Sequence, residues 1–184
     1  MILVRHGQSE FNVVYSVTRV DPGIRDPRLT AEGKRQAADA AKAMADQGIR
    51  RILASPYTRA LETATIIAEH LSAPIEIDPV VGERAAFACD VGTPTSQLSK
   101  FWPSLSLGHL DEQWWPAMEE QETSLSKRCA TFRERMLADA TRHELLVVTH
   151  WGFIRGLTGK QVTNATWLRY DPATTPLPTA FAPG

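Results

Sequence analysis

The chain has 184 residues, of which 43% are hydrophobic and 22% charged, and its formal net charge is −1. This length and composition suit one domain with one sizeable core. Without a basic surplus, we expect no binding to nucleic acid or to an anionic membrane surface. No apolar run reaches the roughly 20 residues that a membrane helix needs, so we also expect no membrane span.

Three short apolar runs, each bounded by polar residues, predict strands that are buried on both faces. They cover residues 2–4, 50–54 and 144–149. The first run starts so close to Met1 that it leaves no room for a signal peptide, and we expect a cytoplasmic protein.

Helical patterns lie between these runs. Thr30 can cap a helix that ends before Gly48, and its apolar stripe is Ala37, Ala41 and Met44. Ser55 followed by Pro56 predicts an N-cap with proline at the first helical position, ahead of the stripe Ala60, Ala64, Ile67 and Leu71. A third helix is predicted over about residues 123–140. Strands that alternate with helices predict an α/β fold, a three-layer α/β/α sandwich with a mostly parallel central sheet.

Two stretches lack this alternation. Residues 85–122, hereafter the 85–122 segment, contain three of the five tryptophans and little periodicity, and we predict a lid-like insertion over the sheet. The tail at 172–184 has four prolines and is predicted to be extended and loosely held. We predict that residues 1–171 form a single domain.

The two cysteines do not indicate a chemical site. Cys89 and Cys129 lie 40 positions apart and form no CxxC pair. In a cytoplasmic protein this spacing favours two reduced structural thiols over a disulfide or a metal site.

The residues that follow the predicted strands carry the functional signal, because ligands of an open α/β sheet bind at the carboxyl ends of its strands. A further short apolar stretch at residues 75–77 leads to Glu83. Two histidines, two arginines and one carboxylate are therefore expected to converge on this edge: Arg5, His6, Arg59, Glu83 and His150. Guanidinium groups match the oxygens of a phosphate and carry permanent positive charge. The set therefore predicts a pocket for a phosphate ester.

Each of these groups suits one part of phosphoryl transfer. A neutral imidazole is a nucleophile near pH 7, and His6 is placed to attack phosphorus. Gly7 would let the phosphate approach the backbone, while His150 and the arginines stabilise charge on the equatorial oxygens. Glu83 is the candidate to protonate the leaving alkoxide and later to activate water. We expect no metal and no cofactor in this chemistry.

Residues 3–12, with the sequence LVRHGQSEFN, resemble the RHG signature of the histidine phosphatase superfamily, also called the phosphoglycerate mutase-like family. Residues 29–37, 55–64 and 148–152 are similar to further blocks of that family, in the same order. The resemblance implies a phosphoglycerate mutase-like fold and a phosphorylated histidine. By these matches the phosphorylated residue is His6, the phosphate pocket is completed by Arg5, Arg59 and His150, and accessory contacts come from Ser9 and Asn12.

This sequence departs from the family pattern at two positions. Glu83 lies in Val-Gly-Glu-Arg rather than the usual Leu-x-Glu context, so a surface glutamate is the competing interpretation, with Asp90 and Glu112 as substitutes for the acid. Trp151 replaces a small residue after the second histidine, and we expect it to shape a wall of the substrate site.

Other interpretations of the same residues stay open at this point. His6 and His150 could bind a metal, but no third ligand occurs at a recognised spacing. The aromatic residues of the 85–122 segment could form core or an apolar wall for the substrate: Phe101, Trp102, Trp114 and Trp115.

The predicted function is hydrolysis of a small-molecule phosphate monoester through a phosphohistidine. Transfer to a second alcohol, as in a phosphoglycerate mutase, is the alternative, because the two reactions differ only in how water is excluded. A third hypothesis is an inactive phospholigand-binding module, although its usual mark, a lost nucleophile or arginine, is absent. The sequence leaves the oligomeric state open.

Overall fold

The computed structural model describes residues 1–178, which build an α/β fold on a five-stranded sheet. The strands are β1 (Ile2–Arg5), β2 (Arg51–Ala54), β3 (Ile75–Ile77), β4 (Leu145–Thr149) and β5 (Trp167–Arg169). Their order is β3-β2-β4-β1-β5. The first four are parallel and β5 pairs antiparallel with β1, so the predicted, mostly parallel sheet is confirmed.

Six α-helices surround this sheet in the described part of the chain: α1 (Glu10–Thr18), α2 (Ala31–Ala43), α3 (Thr58–Leu71), α4 (Thr95–Phe101), α5 (Glu122–Ala138) and α6 (Trp151–Thr158). The predicted strands β1, β2 and β4 and the predicted helices α2, α3 and α5 are confirmed within a few residues. The helices α1, α4 and α6 and the strand β5 were not predicted. Over residues 1–178, no helix is both long enough and apolar enough to pass through a bilayer.

The sheet separates two apolar clusters, because successive side chains of a strand point to opposite faces. Ile52 and Leu146 join the cluster formed with α2 and α3. Leu53 and Val147 join the cluster formed with α5 and α6. Helices therefore cover both faces, and the predicted three-layer α/β/α architecture is confirmed.

The start of α2 follows its sequence pattern. The hydroxyl of Thr30 accepts a hydrogen bond of 3.0 Å from the backbone N–H of Gly33, as an N-cap does. The predicted stripe of Ala37, Ala41 and Met44 is fully buried. The helix ends at Ala43, a few residues before Gly48, whose φ of +71° lies in the following loop.

The start of α3 differs from its prediction. The helix begins at Thr58 with Tyr57 at the N-cap position, so the prediction that Ser55 caps it is wrong. The reason is a tertiary contact: Ser55 is fully buried, and its hydroxyl lies 2.8 Å from Nε2 of His150. The hydroxyl still accepts a long hydrogen bond of 3.5 Å from the backbone N–H of Tyr57, but its shorter contact is with the buried imidazole.

The 85–122 segment packs against the sheet side that carries α2 and α3. Leu98, Leu107 and Trp114 belong to that apolar cluster, with Trp102 and Trp115 half-buried against it. Trp114 is 9% exposed, whereas Phe101 is 68% exposed. Core packing is therefore the observed role of Trp114.

The predicted tail begins with a hydrogen-bonded turn. The carbonyl of Asp171 accepts from the backbone N–H groups of Thr174 and Thr175. Leu177 packs against the cluster of α5 and α6, so this part of the tail is held on the domain rather than loose. The predicted extended end from residue 179 onward lies outside the described residues.

Candidate active site

The floor of the site is the carboxyl end of β1 and β4. These strands are parallel neighbours, with Arg5 paired to Thr149, so the residues that follow them lie side by side. His6 and His150 are both buried, and their ring centroids are 5.1 Å apart. The sheet register therefore brings together two histidines that are far apart in sequence.

The protonation of His6 is set by its surroundings. Its Nδ1 lies 2.7 Å from the carbonyl oxygen of Gly7, and a carbonyl can only accept, so Nδ1 carries the hydrogen. Burial lowers the pKa of His6 well below its ordinary value, and the positive charges of Arg59 and Arg5 lower it further. The imidazole is therefore neutral at pH 7, and Nε2 holds the lone pair.

Gly7 is required by packing with α2. A Cβ atom at this position would overlap the carbonyl oxygen of Gly33 in the first turn of that helix. The backbone N–H of Gly7 donates to the hydroxyl of Thr63 at 3.1 Å, and that hydroxyl donates to the carbonyl of Arg59. This glycine thus has a structural reason that is independent of the predicted approach of a phosphate.

His150 is neutral for the same reason as His6. Burial lowers the pKa of His150 well below its ordinary value, and the charge of Arg59 adds to this effect. Nε2 contacts the hydroxyl of Ser55, while Nδ1 is buried without a hydrogen-bond partner among residues 1–178. Ser55 is a site residue that sequence reasoning missed, because its local pattern indicated only a helix cap.

The two arginines approach from different elements. Arg5 ends β1, and its Nη1 donates to the carbonyl of Val162 at 2.9 Å. Arg59 lies in the first turn of α3 and is buried, with its guanidinium carbon 4.6 Å from the ring centroid of Tyr57. Both positive charges lower the pKa of the buried histidines, and the predicted phosphate pocket stays a prediction.

Glu83 points back to the same edge of the sheet. Its Oε1 accepts hydrogen bonds from the backbone N–H groups of Gly152 at 2.8 Å and Arg84 at 2.9 Å. A Cβ at position 152 would overlap this oxygen, so glycine at this position admits the carboxylate. Burial raises the pKa of Glu83, as does the charge of Asp90, while Arg59 opposes them. Glu83 thus has the environment of a general acid.

The two substitutes for the acid are occupied elsewhere. Asp90 is 1% exposed; one of its carboxylate oxygens accepts from Arg59 and the other from the backbone N–H groups of Ala86 and Phe87. Glu112 lies on the surface and binds the hydroxyl and the backbone N–H of Ser96 at the start of α4. The geometry favours Glu83 over both.

Ser9 and Asn12 form a capping box at the start of α1. The hydroxyl and the backbone N–H of Ser9 both donate to Oδ1 of Asn12 at 3.0 Å. Asn164 also donates to Oδ1 of Asn12 and to the carbonyl of His6. Because these donors occupy Oδ1, only the NH₂ group of the Asn12 side chain could bind a ligand. The predicted substrate contacts of Ser9 and Asn12 stay predictions.

Trp151 is the first residue of α6 and is half-buried. Its ring centroid lies 5.1 Å from the guanidinium carbon of Arg155, one turn later in the same helix. The predicted role of Trp151 as a wall of the substrate site stays a prediction.

Arg128 of α5 is a second residue that sequence reasoning missed. Its guanidinium donates to the carbonyls of Val80, Gly82 and Glu83 and forms two hydrogen bonds with the carboxylate of Glu120. Arg128 therefore clamps the loop that presents Glu83. No local pattern marks this role, because the partners lie 45 to 48 residues earlier in the chain.

Neither cysteine forms a disulfide. Cys89 and Cys129 are buried and free, and burial raises the pKa of the Cys129 thiol to about 12. Over the described range 1–178, no three His, Cys, Asp or Glu side chains cluster in a way that could hold a metal ion.

Comparison with known proteins matches residues 1–175 to the histidine phosphatase superfamily, branch 1. A 2,3-bisphosphoglycerate-dependent phosphoglycerate mutase of Afipia carboxidovorans is 30% identical over 171 residues, which cover 85% of this chain and 78% of that protein. A Schizosaccharomyces pombe protein named as a probable phosphatase is 30% identical over 166 residues, covering 83% of this chain and 74% of its own.

The fold is also similar to that of a solved mycobacterial enzyme. The glucosyl-3-phosphoglycerate phosphatase in complex with inorganic phosphate superposes with a TM-score of 0.60 at 20% identity, covering 91% of this chain and 86% of the other. The family match, the identity to relatives over most of the chain and the shared fold agree with one another. This chain belongs to the histidine phosphatase superfamily.

Proposed function

We propose that this protein is a metal-independent phosphatase that hydrolyses a small-molecule phosphate monoester through a phosphohistidine at His6. The observation that carries the proposal is the hydrogen bond from Nδ1 of His6 to the carbonyl of Gly7. It assigns the hydrogen to Nδ1, so a neutral ring offers its lone pair at Nε2 for attack on phosphorus.

In the first step, Nε2 of His6 forms a bond to phosphorus as the bond from phosphorus to the ester oxygen breaks. Arg5, Arg59 and His150 stabilise the charge on the equatorial oxygens of the transferring group. Glu83, whose pKa is raised by burial, gives its proton to the leaving oxygen. The products are a free alcohol, a phosphohistidine and a carboxylate at Glu83.

In the second step, water attacks the phosphohistidine and the nitrogen–phosphorus bond breaks. The Glu83 carboxylate takes a proton from the attacking water, which restores the acid for the next turnover. Inorganic phosphate leaves, and His6 returns to its neutral form. The arginines supply the positive charge that this chemistry requires, and for this reason we assign it no metal.

The proposal is tested by the release of inorganic phosphate from an aryl phosphate in the presence of a chelator. His6→Asn keeps a donor for the Gly7 carbonyl but has no nucleophilic nitrogen, and it should lower kcat by about 10⁴-fold or more. His70→Asn, which changes an exposed histidine of α3, is the matched control and should keep wild-type activity. Turnover that the chelator abolishes, or that survives His6→Asn, would refute the proposal.

Phosphoryl transfer between two alcohols is the second candidate, because the Afipia carboxidovorans mutase is among the relatives that match most of the chain. The two reactions share the first step and differ in whether water or an alcohol accepts the phosphoryl group. With a phosphoglycerate as substrate, we expect release of inorganic phosphate to outpace isomerisation. Faster isomerisation would assign the mutase reaction instead.

We also propose a small-molecule substrate and a cytoplasmic location. Charged groups as buried as those of the candidate site suit a compact ester, and the mycobacterial phosphatase of the same fold was solved with inorganic phosphate. Two free thiols fit a reducing compartment. A screen of metabolite phosphates would identify the alcohol, and fractionation of the producing cells would test the location.

A further inference from the structure

The ion pair between Arg59 and Asp90 is the most deeply buried one among the described residues. Nη2 of Arg59 lies 3.0 Å from Oδ1 of Asp90, and their side chains are 3% and 2% exposed. Nη1 of the same guanidinium donates to the carbonyl of Cys89 at 2.7 Å. The short turn at residues 88–90 therefore holds one edge of the guanidinium fork, which leaves other N–H donors of Arg59 for a phosphate.

The second carboxylate oxygen of Asp90 binds the backbone at the start of the 85–122 segment. Oδ2 accepts hydrogen bonds of 3.0 Å from the backbone N–H groups of Ala86 and Phe87. One carboxylate thus connects a phosphate-binding candidate on α3 to the segment that follows Glu83. Desolvating a carboxylate is costly, and this position can hold one because all its acceptor sites face donors.

We propose that Asp90 is a positioning residue of this site, which aims the guanidinium of Arg59 and sets the charge balance around Glu83. The inference rests on the proposed function, since it assigns Asp90 a part in the same reaction. Asp90 contacts no reacting atom in this account. It acts through Arg59 by geometry and on Glu83 by charge.

Asp90→Asn tests the geometric part, because an amide has only one acceptor oxygen. Whichever way the amide is turned, its NH₂ faces either Arg59 or the N–H groups of Ala86 and Phe87, and two donors then oppose each other. We expect kcat to fall about 10- to 100-fold, the loss expected when a catalytic group is misplaced by up to about 1 Å. We expect the Kd for inorganic phosphate to change by no more than about twofold, because the loss of a nearby negative charge offsets the weaker hold of a displaced Arg59 on the anion.

The pH profile tests the charge part. The charged and titratable groups around Glu83 are Asp90 and Cys89 from the 85–122 segment, Arg59 from α3 with Tyr57 at its N-cap, Arg5 from β1, and Arg128 from α5, which donates to the Glu83 carbonyl. The Asp90 charge raises the pKa of Glu83, and Arg59 and Arg5 lower it. The alkaline limb of kcat/KM, measured with an alkyl phosphate, reports the acid of the free enzyme, and it should move to lower pH in Asp90→Asn.

Two further variants separate positioning from loosening. The Thr93 hydroxyl donates a hydrogen bond of 2.6 Å to Asp26, and this contact also anchors the 85–122 segment. Thr93→Val removes the contact without changing any charge. Its alkaline limb should stay in place. Asp90→Glu keeps the charge and displaces Arg59, so kcat should fall while the alkaline limb stays close to that of the wild type; it also serves if Asp90→Asn does not fold.

The measurements are calorimetric titration with inorganic phosphate and pH profiles of kcat/KM on the full chain. The inference would be supported if Asp90→Asn lowers kcat and retains phosphate affinity, and if it is the only variant whose alkaline limb of kcat/KM moves. A tenfold weaker Kd with unchanged kcat, or the same displaced limb in Thr93→Val, would overturn it. A wild-type enzyme that hydrolyses no phosphate ester would refute the proposed function, whereas active variants indistinguishable from wild type would refute only the role of Asp90.

Discussion

The floor of the candidate site and the 85–122 segment above it are built in different ways. The floor consists of residues at the ends of β1 and β4, and their positions follow from the register of a buried parallel sheet. The 85–122 segment has little regular structure and is held by individual side chains, among them Trp114 against Tyr57 and Asp90 against Arg59. Its position therefore depends on side-chain packing, including that of Leu98 and Leu107 in the cluster of α2 and α3, whereas the floor is fixed by backbone pairing of the strands.

The difference explains which half of the site could be assigned from residue types. A sheet register places His6 beside His150 whatever the surrounding loops do, so strand ends are reliable positions for chemistry. The contact between Asp90 and Arg59 has no local signature, because it joins residues that are 31 positions apart in sequence. The proposed phosphate-binding half thus follows from the sheet register, and the proposed leaving-group half from side-chain contacts.

Glu83→Gln should show the largest effect of the predictions that separate the two halves. An alkyl phosphate needs a proton on its leaving oxygen, so its kcat/KM should fall by about 10²- to 10⁴-fold. Nitrophenyl phosphate has a leaving group that hardly needs a proton and should change little. Steady-state kinetics on both substrates check this, and equal losses on both would place the acid elsewhere.

Trp114→Ala tests whether the 85–122 segment shares the main core. Trp114 packs edge-on against Tyr57 at 4.7 Å and donates to the carbonyl of Thr93, so truncation should lower the free energy of unfolding by about 3–5 kcal/mol. Phe101→Ala, at an exposed aromatic residue of α4, should stay within about 0.5 kcal/mol of wild type. Urea denaturation measures both. An unchanged midpoint for Trp114→Ala would mean that the segment is packed independently of the sheet.

The buried histidines of the floor make stability depend on pH. Burial lowers the pKa of His6 and His150, so below their ordinary value of about 6.5 the unfolded chain takes up protons that the folded chain does not. Each such histidine should then lower the free energy of unfolding by up to about 1.4 kcal/mol per pH unit as the pH falls.

Urea denaturation at about pH 7.5 and about pH 5.5 measures this effect. His6→Asn should lose less stability between the two conditions than wild type, whereas His70→Asn should lose as much as wild type. If His6→Asn has the same pH dependence as wild type, His6 is not neutral and buried in the folded state.

Elements with a strong repeating pattern were predictable, and those defined by tertiary contacts were not. The apolar stripe of α2 indicates a helix, and the apolar run of β4 indicates a buried strand. The edge strand β5 has only three residues, and α6 begins directly at the end of a functional block, so neither had a pattern long enough to recognise.

The site shows the same division. His6, Arg59 and His150 were predicted because their positions follow strand ends and matched motif blocks. Ser55 was assigned to a helix cap, since its contact with His150 spans 95 residues of sequence. Gly7 was predicted to let a phosphate approach the backbone, whereas the close approach of α2 to this glycine is visible only in the folded chain.

The central claim is the phosphohistidine at His6, and the most direct test is to trap it. Rapid quenching during turnover of a labelled phosphate ester, followed by peptide mapping under alkaline conditions, locates the phosphoryl group. We expect the label on Nε2 of His6, because Nδ1 is hydrogen-bonded to the carbonyl of Gly7. The phosphoenzyme should form and decay at least as fast as the enzyme turns over. Label on another residue, label on Nδ1, or turnover without any phosphoenzyme would contradict the central claim.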